Sequence, residues 1–192
     1  MDVVILSAGY GLISEQRAIA PYEVTFNTMK GREIDEWAEV LKIHEEFEKI
    51  VESYDLVFFL LGENYLRALS LPVKTEPSQT FIFLASKGSL PYIQELKAKT
   101  FILQLSNAEA KRYSYGLVGL KGFLFKQFAE VAKETPQLLE RVTSVPEYFE
   151  EIINKVGEGA NTPEESVQLE LPLGLPQASS SIITAKFPIN MN

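Results

Sequence analysis

Short apolar runs alternate along the chain with longer segments in which apolar residues recur every three or four positions. The short runs, which predict buried strands, are residues 2–6, 56–61, 80–85 and 100–105. The periodic segments, which predict helices, are residues 34–53, 64–71, 107–113, 120–134, 136–142 and 146–156. This alternation predicts a layered α/β fold with a mostly parallel four-stranded sheet, flanking helices and a helical C-terminal part.

The composition changes after residue 156, where a stretch rich in Gly, Glu, Asn and Ser begins and helical periodicity stops. Such a stretch offers too little apolar surface to compensate for the entropy lost on ordering. We therefore expect one α/β domain over residues 1–156 and a flexible tail over 157–192.

The bulk composition removes several classes of function. A net charge of −8 argues against a protein that coats nucleic acid nonspecifically, although a local basic patch is compatible with it. The chain has no cysteine, which excludes disulfides, thiolate nucleophiles and cysteine-based zinc sites and is typical of a reducing cytosol. Its one histidine, His44, lies among acidic residues in a helical pattern, and no motif indicates a metal site or a cofactor.

No segment has the length and apolarity of a membrane span, and the first residues lack the pattern of a secretory signal. These observations predict a cytoplasmic protein with no membrane partner.

The stretch LSAGYGLI, residues 6–13, follows the first predicted strand. Gly9 and Gly11 permit close approach of a ligand to the backbone, and Ser7 and Tyr10 add hydroxyl groups and an aromatic ring. Ligands of parallel α/β sheets bind at the carboxyl ends of strands, where this stretch is expected. It therefore predicts part of a pocket; the alternative is a tight turn with Tyr10 packed in the core.

A second unusual stretch, Pro21-Tyr22-Glu23, is expected at the same edge. It combines a rigid turn, an aromatic face and a carboxylate that is suited to acid–base chemistry or to recognition of a base edge. The alternative is a turn in which Tyr22 covers the core.

The strand predicted over 56–61 is followed by Gly62 and Glu63 and, two residues later, by Tyr65. These three residues complete the predicted pocket. Glu63 is a second carboxylate at a strand end. Glu23 and Glu63 are therefore candidates for a catalytic pair in which one acts as the general acid and the other as the general base. The sequence does not determine the distance between the two carboxylates.

Residues 110–126 contain four cations, two tyrosines and three glycines just before a predicted helix. Glycine amides at a helix N-terminus, with a lysine, form a phosphate-binding arrangement. We therefore predict phosphate binding by Arg112, Gly119, Lys121 and Gly122. Interleaved basic and aromatic residues are also typical of nucleic-acid binding, whereas the alternative is an ordinary helix joint with solvated lysines.

The order LSAGYGLI then IAPYEVTF resembles the Ser-Ala-x-Tyr-Gly-Leu-Leu … Ile-x-Pro-Tyr motif of the YaaA-like superfamily of bacterial proteins. DLVFFLLGENYLRAL resembles the next segment of that superfamily, and GLKGFLFKQFAE resembles a late helix, so the resemblance covers residues 3–130. It implies an α/β fold and a link to DNA or its protection under oxidative stress. Relatives carry a strand–helix unit before the first motif, which implies a shortened member or a fragment. They also carry a larger or basic residue where this chain has Gly9.

The predicted tail contains QLELPL at residues 168–173, which resembles the hexapeptide by which bacterial proteins bind the sliding clamp. In that reading Gln168 hydrogen-bonds at the edge of a groove, Leu171 and Leu173 enter it, and Leu169 belongs to the same motif. The alternative is a segment that docks on its own domain or pairs with a sheet edge.

Three functions follow from these patterns. The first is a protein of DNA maintenance or oxidative-stress response that binds DNA or a nucleotide-like ligand. The second is an enzyme that acts on a nucleobase or nucleoside through Glu23 and Glu63. The third is a non-catalytic protein that binds partners through its tail. A homodimer is expected if the sheet edge at residues 3–6 is exposed.

Overall fold

The structure, a computed structural model, describes residues 2–159 and 181–186. Its strands are β1 (Val3–Ser7), β2 (Gly11–Ser14), β3 (Leu56–Phe59), β4 (Thr80–Ala85), β5 (Lys99–Gln104) and β6 (Ser181–Lys186). Its α-helices are α1 (Gly31–Val40), α2 (Ile43–Val51), α3 (Glu63–Leu69), α4 (Asn107–Arg112), α5 (Leu117–Glu134), α6 (Gln137–Ser144) and α7 (Tyr148–Gly159). Two short 3₁₀ helices span Phe26–Thr28 and Lys87–Tyr92.

The strands form one sheet in the order β2-β1-β6-β3-β4-β5. The strands β3, β4 and β5 are parallel, as the helical connections between them require. The strands β1 and β2 form an antiparallel hairpin. The last strand, β6, lies between the hairpin and the parallel strands and pairs antiparallel with both β1 and β3.

The mixed α/β class is confirmed, and each of the four predicted strands is present. The prediction of a mostly parallel four-stranded sheet is not confirmed, because β2 and β6 are added and only two of the five strand pairs are parallel. The sequence pattern did not predict β2, because this strand has only four residues and begins with a glycine.

The strand β6 falls inside residues 157–192, for which the sequence predicted a flexible tail without a strand. The strand has only six residues and begins at the end of a serine run, so its β-branched residues gave too short a pattern to be recognised. Helix α7 also continues to Gly159. The predicted clamp-binding hexapeptide at 168–173 lies outside the described residues.

Both sides of β1 are paired, one with β2 and the other with β6. The expected homodimer depended on an exposed β1 edge, and this pairing removes the reason for expecting it.

The sheet separates two apolar clusters, because successive side chains of β3 point to opposite faces. Val57 and Phe59 join the cluster beneath α1, α2 and α3, where Phe59 stacks on Phe83 with ring centroids 4.1 Å apart. Leu56 and Phe58 join the cluster beneath α5, α6 and α7. Fully burying one such side chain contributes about 1.5–3 kcal/mol, so the near-continuous apolar run of β3 serves both faces.

The single helix predicted over 34–53 is two helices, α1 and α2. They are separated at Lys42, which has a φ of 53° in the left-handed region. Sequence reasoning missed this break because no glycine or proline marks it. The break turns α2 so that Ile43 and Phe47 are buried against the sheet.

Helix α5 begins at Leu117, three residues before its predicted start. Its buried positions Leu120, Leu124 and Phe128 recur every four residues and face the sheet. Gly119 and Gly122 consequently lie inside the helix and not in a loop before it.

Candidate functional site

The stretch LSAGYGLI forms the β1–β2 hairpin. Ser7 pairs with Gly11, which leaves a three-residue loop over residues 8–10. Gly11 has a φ of 69°, the left-handed value that a glycine adopts without strain and that a three-residue hairpin loop requires. Gly9 is required for a different reason: a Cβ there would lie 2.7 Å from Cδ2 of Tyr22. Both glycines therefore serve the packing of the protein on itself.

The polar groups of the hairpin loop are satisfied by one another. The Ser7 hydroxyl donates to the Tyr22 hydroxyl over 2.6 Å and accepts from the amides of Gly9 and Tyr10, each at 3.2 Å. The Tyr10 ring contacts the Tyr22 ring edge-on at 5.3 Å, and its hydroxyl donates to the carbonyl of Ala20. We call Ser7, Tyr10 and Tyr22 the hairpin cluster. The structure brings these three predicted pocket residues together.

The other predicted pocket residues are distributed between core and surface. Tyr65 is 1% exposed, and its hydroxyl lies 3.2 Å from the Thr25 hydroxyl. Pro21 and Glu23 are exposed, and Gly62 is half-buried.

Glu63 is exposed as well, in the first turn of α3. Its carboxylate occupies the space that a Cβ of Gly88 would take, just beyond the end of β4. Glu63 therefore stands at the carboxyl edge of the parallel strands, as the sequence predicted.

A hydrogen bond that sequence reasoning missed holds the hairpin on α1: the indole N–H of Trp37 donates to the carbonyl of Ala8 over 2.7 Å. The two residues are 29 positions apart, so no local pattern indicates the bond.

A second aromatic group lies where α4 meets α5. The Tyr115 ring stacks on the Phe123 ring with centroids 4.8 Å apart, and the Tyr113 ring contacts Phe123 at 5.7 Å. The Arg112 guanidinium lies 5.5 Å from the Tyr113 ring, and Tyr115 is 45% exposed. We call Lys111, Arg112, Tyr113, Tyr115 and Phe123 the α4–α5 surface; both of its cations are exposed.

Lys121 does not join this surface. Its side chain is only 4% exposed, and its ammonium donates a short hydrogen bond to the carbonyl oxygen of Leu61. Burial lowers the pKa of Lys121 to about 8. The four residues predicted to bind phosphate are thus separated, because Arg112, Gly119 and Gly122 are exposed while Lys121 points inward.

An ion pair that sequence reasoning missed joins α1 to α3. Nε and one terminal nitrogen of Arg67 donate to the two carboxylate oxygens of Asp35 at 2.7 and 2.6 Å. The guanidinium covers Gly31 so closely that a Cβ there would lie 2.5 Å from it. These hydrogen bonds lower the pKa of Asp35, and the hydrogen bonds that the guanidinium donates to Asp35 and Tyr92 raise the pKa of Arg67.

Two cavities are lined in part by this ion pair. One of about 380 Å³ is lined by Asp35 and Arg67 together with Lys42 and His44. The other, of about 350 Å³, shares the ion pair and extends to Tyr92. The His44 imidazole faces the Leu69 carbonyl at 3.3 Å.

A third cavity, of about 460 Å³, lies at the amino ends of β3 and β4 and is lined by Asp55, Lys74 and Gln79 among others. The linings of these three cavities contain neither the hairpin cluster nor the α4–α5 surface.

Within the described part of the chain, no group of three His, Asp or Glu side chains is arranged to hold a metal ion. No helix in the same part is both long enough and apolar enough to cross a membrane.

Fold and site together define a mixed α/β domain whose hairpin cluster is closed and whose α4–α5 surface is open. A family model described as a family of unknown function, DUF6884, matches residues 1–97 of the 192-residue chain. The chain belongs to this family. No curated protein and no solved structure matches it. The matched residues include the hairpin cluster and the Arg67–Asp35 pair and end before α4. The match does not connect the chain to the YaaA-like superfamily.

Proposed function

We propose that this protein binds single-stranded nucleic acid through the α4–α5 surface and acts in DNA maintenance or the response to oxidative stress. The observation that carries the proposal is the Tyr115 ring, which is stacked on Phe123 on one face and is 45% exposed, shortly after the exposed cations Lys111 and Arg112 in the chain. The resemblance of residues 3–130 to the YaaA-like superfamily also supports a link to DNA.

A preformed aromatic stack is suited to a nucleobase. Every base has a flat π-face, and stacking a base on an aromatic side chain contributes about 1–3 kcal/mol without regard to sequence. Because Phe123 already orders the Tyr115 ring, little side-chain entropy remains to be lost when a base stacks on it.

The cations beside the stack supply contacts to phosphate. Lys111 and Arg112 close α4, and both are exposed. Two neutralised phosphates predict a slope of about −1.4 for the logarithm of affinity against the logarithm of salt concentration on single strands. Since the net charge is −8, the rest of the surface adds no general attraction for nucleic acid.

The test is fluorescence anisotropy of a labelled single-stranded oligodeoxythymidine at low salt. Tyr115→Ala is expected to weaken binding roughly tenfold through lost stacking. Arg112→Glu is expected to weaken it by at least as much and to flatten the salt dependence. Arg141→Glu is the matched control, because the Arg141 guanidinium also lies over a tyrosine ring, that of Tyr148, at 3.6 Å.

Equal binding by all four proteins would refute the proposal, as would no binding by the unmodified chain. A loss in the Arg141→Glu variant equal to that in the Arg112→Glu variant would show general charge attraction in place of a defined surface.

The two other hypotheses stay predictions. Glu23 and Glu63, the pair for acid–base work on a nucleobase, are both exposed, and Glu63 lies against Gly88. Sliding-clamp binding rests on the hexapeptide at 168–173, which resembles the clamp-binding motif of bacterial proteins. This resemblance agrees with a function in DNA maintenance.

A further inference from the structure

Lys121 is the buried amine that the proposed nucleic-acid surface does not use. It lies in the second turn of α5, is 4% exposed, and donates its hydrogen bond to the carbonyl of Leu61. Among the side chains that the structure describes, no carboxylate lies within 4.0 Å of its ammonium. A buried cation normally has such a partner, because the charged form is costly away from water.

The amine stands at the edge of the sheet where ligands of α/β proteins bind. Leu61 follows β3 and directly precedes Gly62, the N-cap residue of α3. A Cβ built on Gly62 would meet no atom within 4 Å, so there is open space beside the carbonyl that holds the amine. The Glu63 carboxylate, over Gly88, stands at the same edge.

The protonation state of this amine differs from that of a surface lysine. Burial lowers the pKa of Lys121 to about 8 from its usual 10.5. At neutral pH its uncharged fraction is therefore roughly 300 times that of an exposed lysine. Only the uncharged amine has a lone pair that can attack a carbonyl carbon, and lysines activated by desolvation are used in this way.

We propose that Lys121 is a carbonyl-reactive amine that forms an imine with a small aldehyde or ketone entering beside Gly62. The nitrogen lone pair attacks the carbonyl carbon, the π electrons of the carbonyl move to its oxygen, and one nitrogen proton is transferred to that oxygen to give a neutral carbinolamine. Loss of this hydroxyl as water and of the nitrogen proton gives the imine. Glu63 is the carboxylate at this edge that relays the protons.

The size and charge of the substrate follow from the surroundings. Since the side chain of Lys121 is almost fully enclosed, only a small carbonyl compound reaches it. The Glu63 carboxylate at the same edge disfavours a free phosphate or another multiply charged anion.

The experiment is reductive methylation of the full chain with formaldehyde as the probe and cyanoborohydride as the reductant. Formaldehyde forms the imine with loss of water, and hydride from the reductant converts it to the methylamine. Mass spectrometry of peptides measures the rate at each lysine between pH 7 and pH 9. Lys126, exposed on the same helix, is the internal reference.

We expect Lys121 to be methylated at least fivefold faster than Lys126 at pH 7 and its rate to level off above about pH 8, whereas the Lys126 rate continues to rise. If Lys121 stays unmodified when Lys126 is fully converted, the amine is closed to carbonyl compounds and the proposal is wrong.

Two valine variants test the route of entry. Gly62→Val fills the open space and is expected to slow methylation of Lys121 at least fivefold while Lys126 is unaffected. Gly116→Val is the matched control, because Gly116 is likewise an extended N-cap glycine with no atom within 4 Å of a Cβ. Unchanged methylation of Lys121 in the Gly62→Val variant would overturn the proposal. Binding of oligodeoxythymidine reports on the α4–α5 surface separately.

Discussion

The hairpin cluster and the α4–α5 surface both contain tyrosines next to glycines in the chain, but the first is closed and the second is exposed. In the hairpin cluster, the Ser7 hydroxyl donates a hydrogen bond to the Tyr22 hydroxyl, and the Tyr10 ring packs on the Tyr22 ring. On the α4–α5 surface, Tyr115 stacks on Phe123 by one face and stays 45% exposed. A tyrosine beside glycines therefore indicates a binding site only where its ring and neighbouring polar groups are not already occupied by the chain itself.

The two regions also differ in their relation to the family. The hairpin cluster lies within residues 1–97, which the family model matches, whereas the α4–α5 surface lies beyond them. Nucleic-acid binding at α4–α5, if the experiment bears it out, is a property of the part of the chain outside the match.

The largest expected effect concerns Lys121, which is buried, unlike the two exposed cations of the α4–α5 surface. Its pKa is about 8 when folded and 10.5 when exposed, so the unfolded chain binds more protons between these values. The free energy of unfolding therefore rises with pH across the window from 8 to 10.5, by up to about 3 kcal/mol. In the Lys121→Met variant this rise should disappear; urea unfolding at a series of pH values measures it.

Lys126→Met is the control, because Lys126 is exposed and should leave the rise in place. If the free energy of unfolding rises equally with pH in both variants, the charged form of Lys121 is not destabilised by burial in the folded protein.

A smaller effect is expected from a single methyl group in the hairpin. Gly9→Ala places a Cβ 2.7 Å from the Tyr22 ring, and such overpacking should lower the free energy of unfolding by about 2 kcal/mol. Gly122→Ala, in α5, meets no atom within 4 Å and should raise it by about 0.5–1 kcal/mol. Opposite signs in urea unfolding would support the contrast of closed hairpin and open helix; a neutral Gly9→Ala would contradict it.

The smallest effect comes from one hydroxyl group. Tyr22→Phe removes the acceptor of the buried Ser7 hydroxyl and should cost about 1 kcal/mol. Tyr115→Phe keeps the stacked ring and should leave the free energy of unfolding within about 0.5 kcal/mol of the unmodified chain. Thermal or urea unfolding compares the two, and equal effects would mean that the Ser7–Tyr22 bond contributes nothing distinctive.

Sequence patterns located most of the helices and strands, because an element that buries one face has apolar residues at regular intervals along the chain. The buried run of β3 and the four-residue spacing of Leu120, Leu124 and Phe128 are visible without a structure. The break at Lys42 was not visible, since no local residue requires its left-handed conformation and the packing of α2 imposes it. The Arg67–Asp35 pair was missed because its members lie 32 positions apart.

By itself the sequence determined the α/β class, the four strands that it predicted and the stretches that carry hydroxyl, carboxylate and cationic groups, because these depend on residue type and local period. Only the tertiary structure decided that β6 lies between β1 and β3, that Tyr22 fills its own neighbourhood, and that Lys121 points inward while Arg112 faces out. The reason is physical: hydrogen-bond partners and burial are supplied by residues distant in the chain, and local pattern carries no record of which distant residues meet.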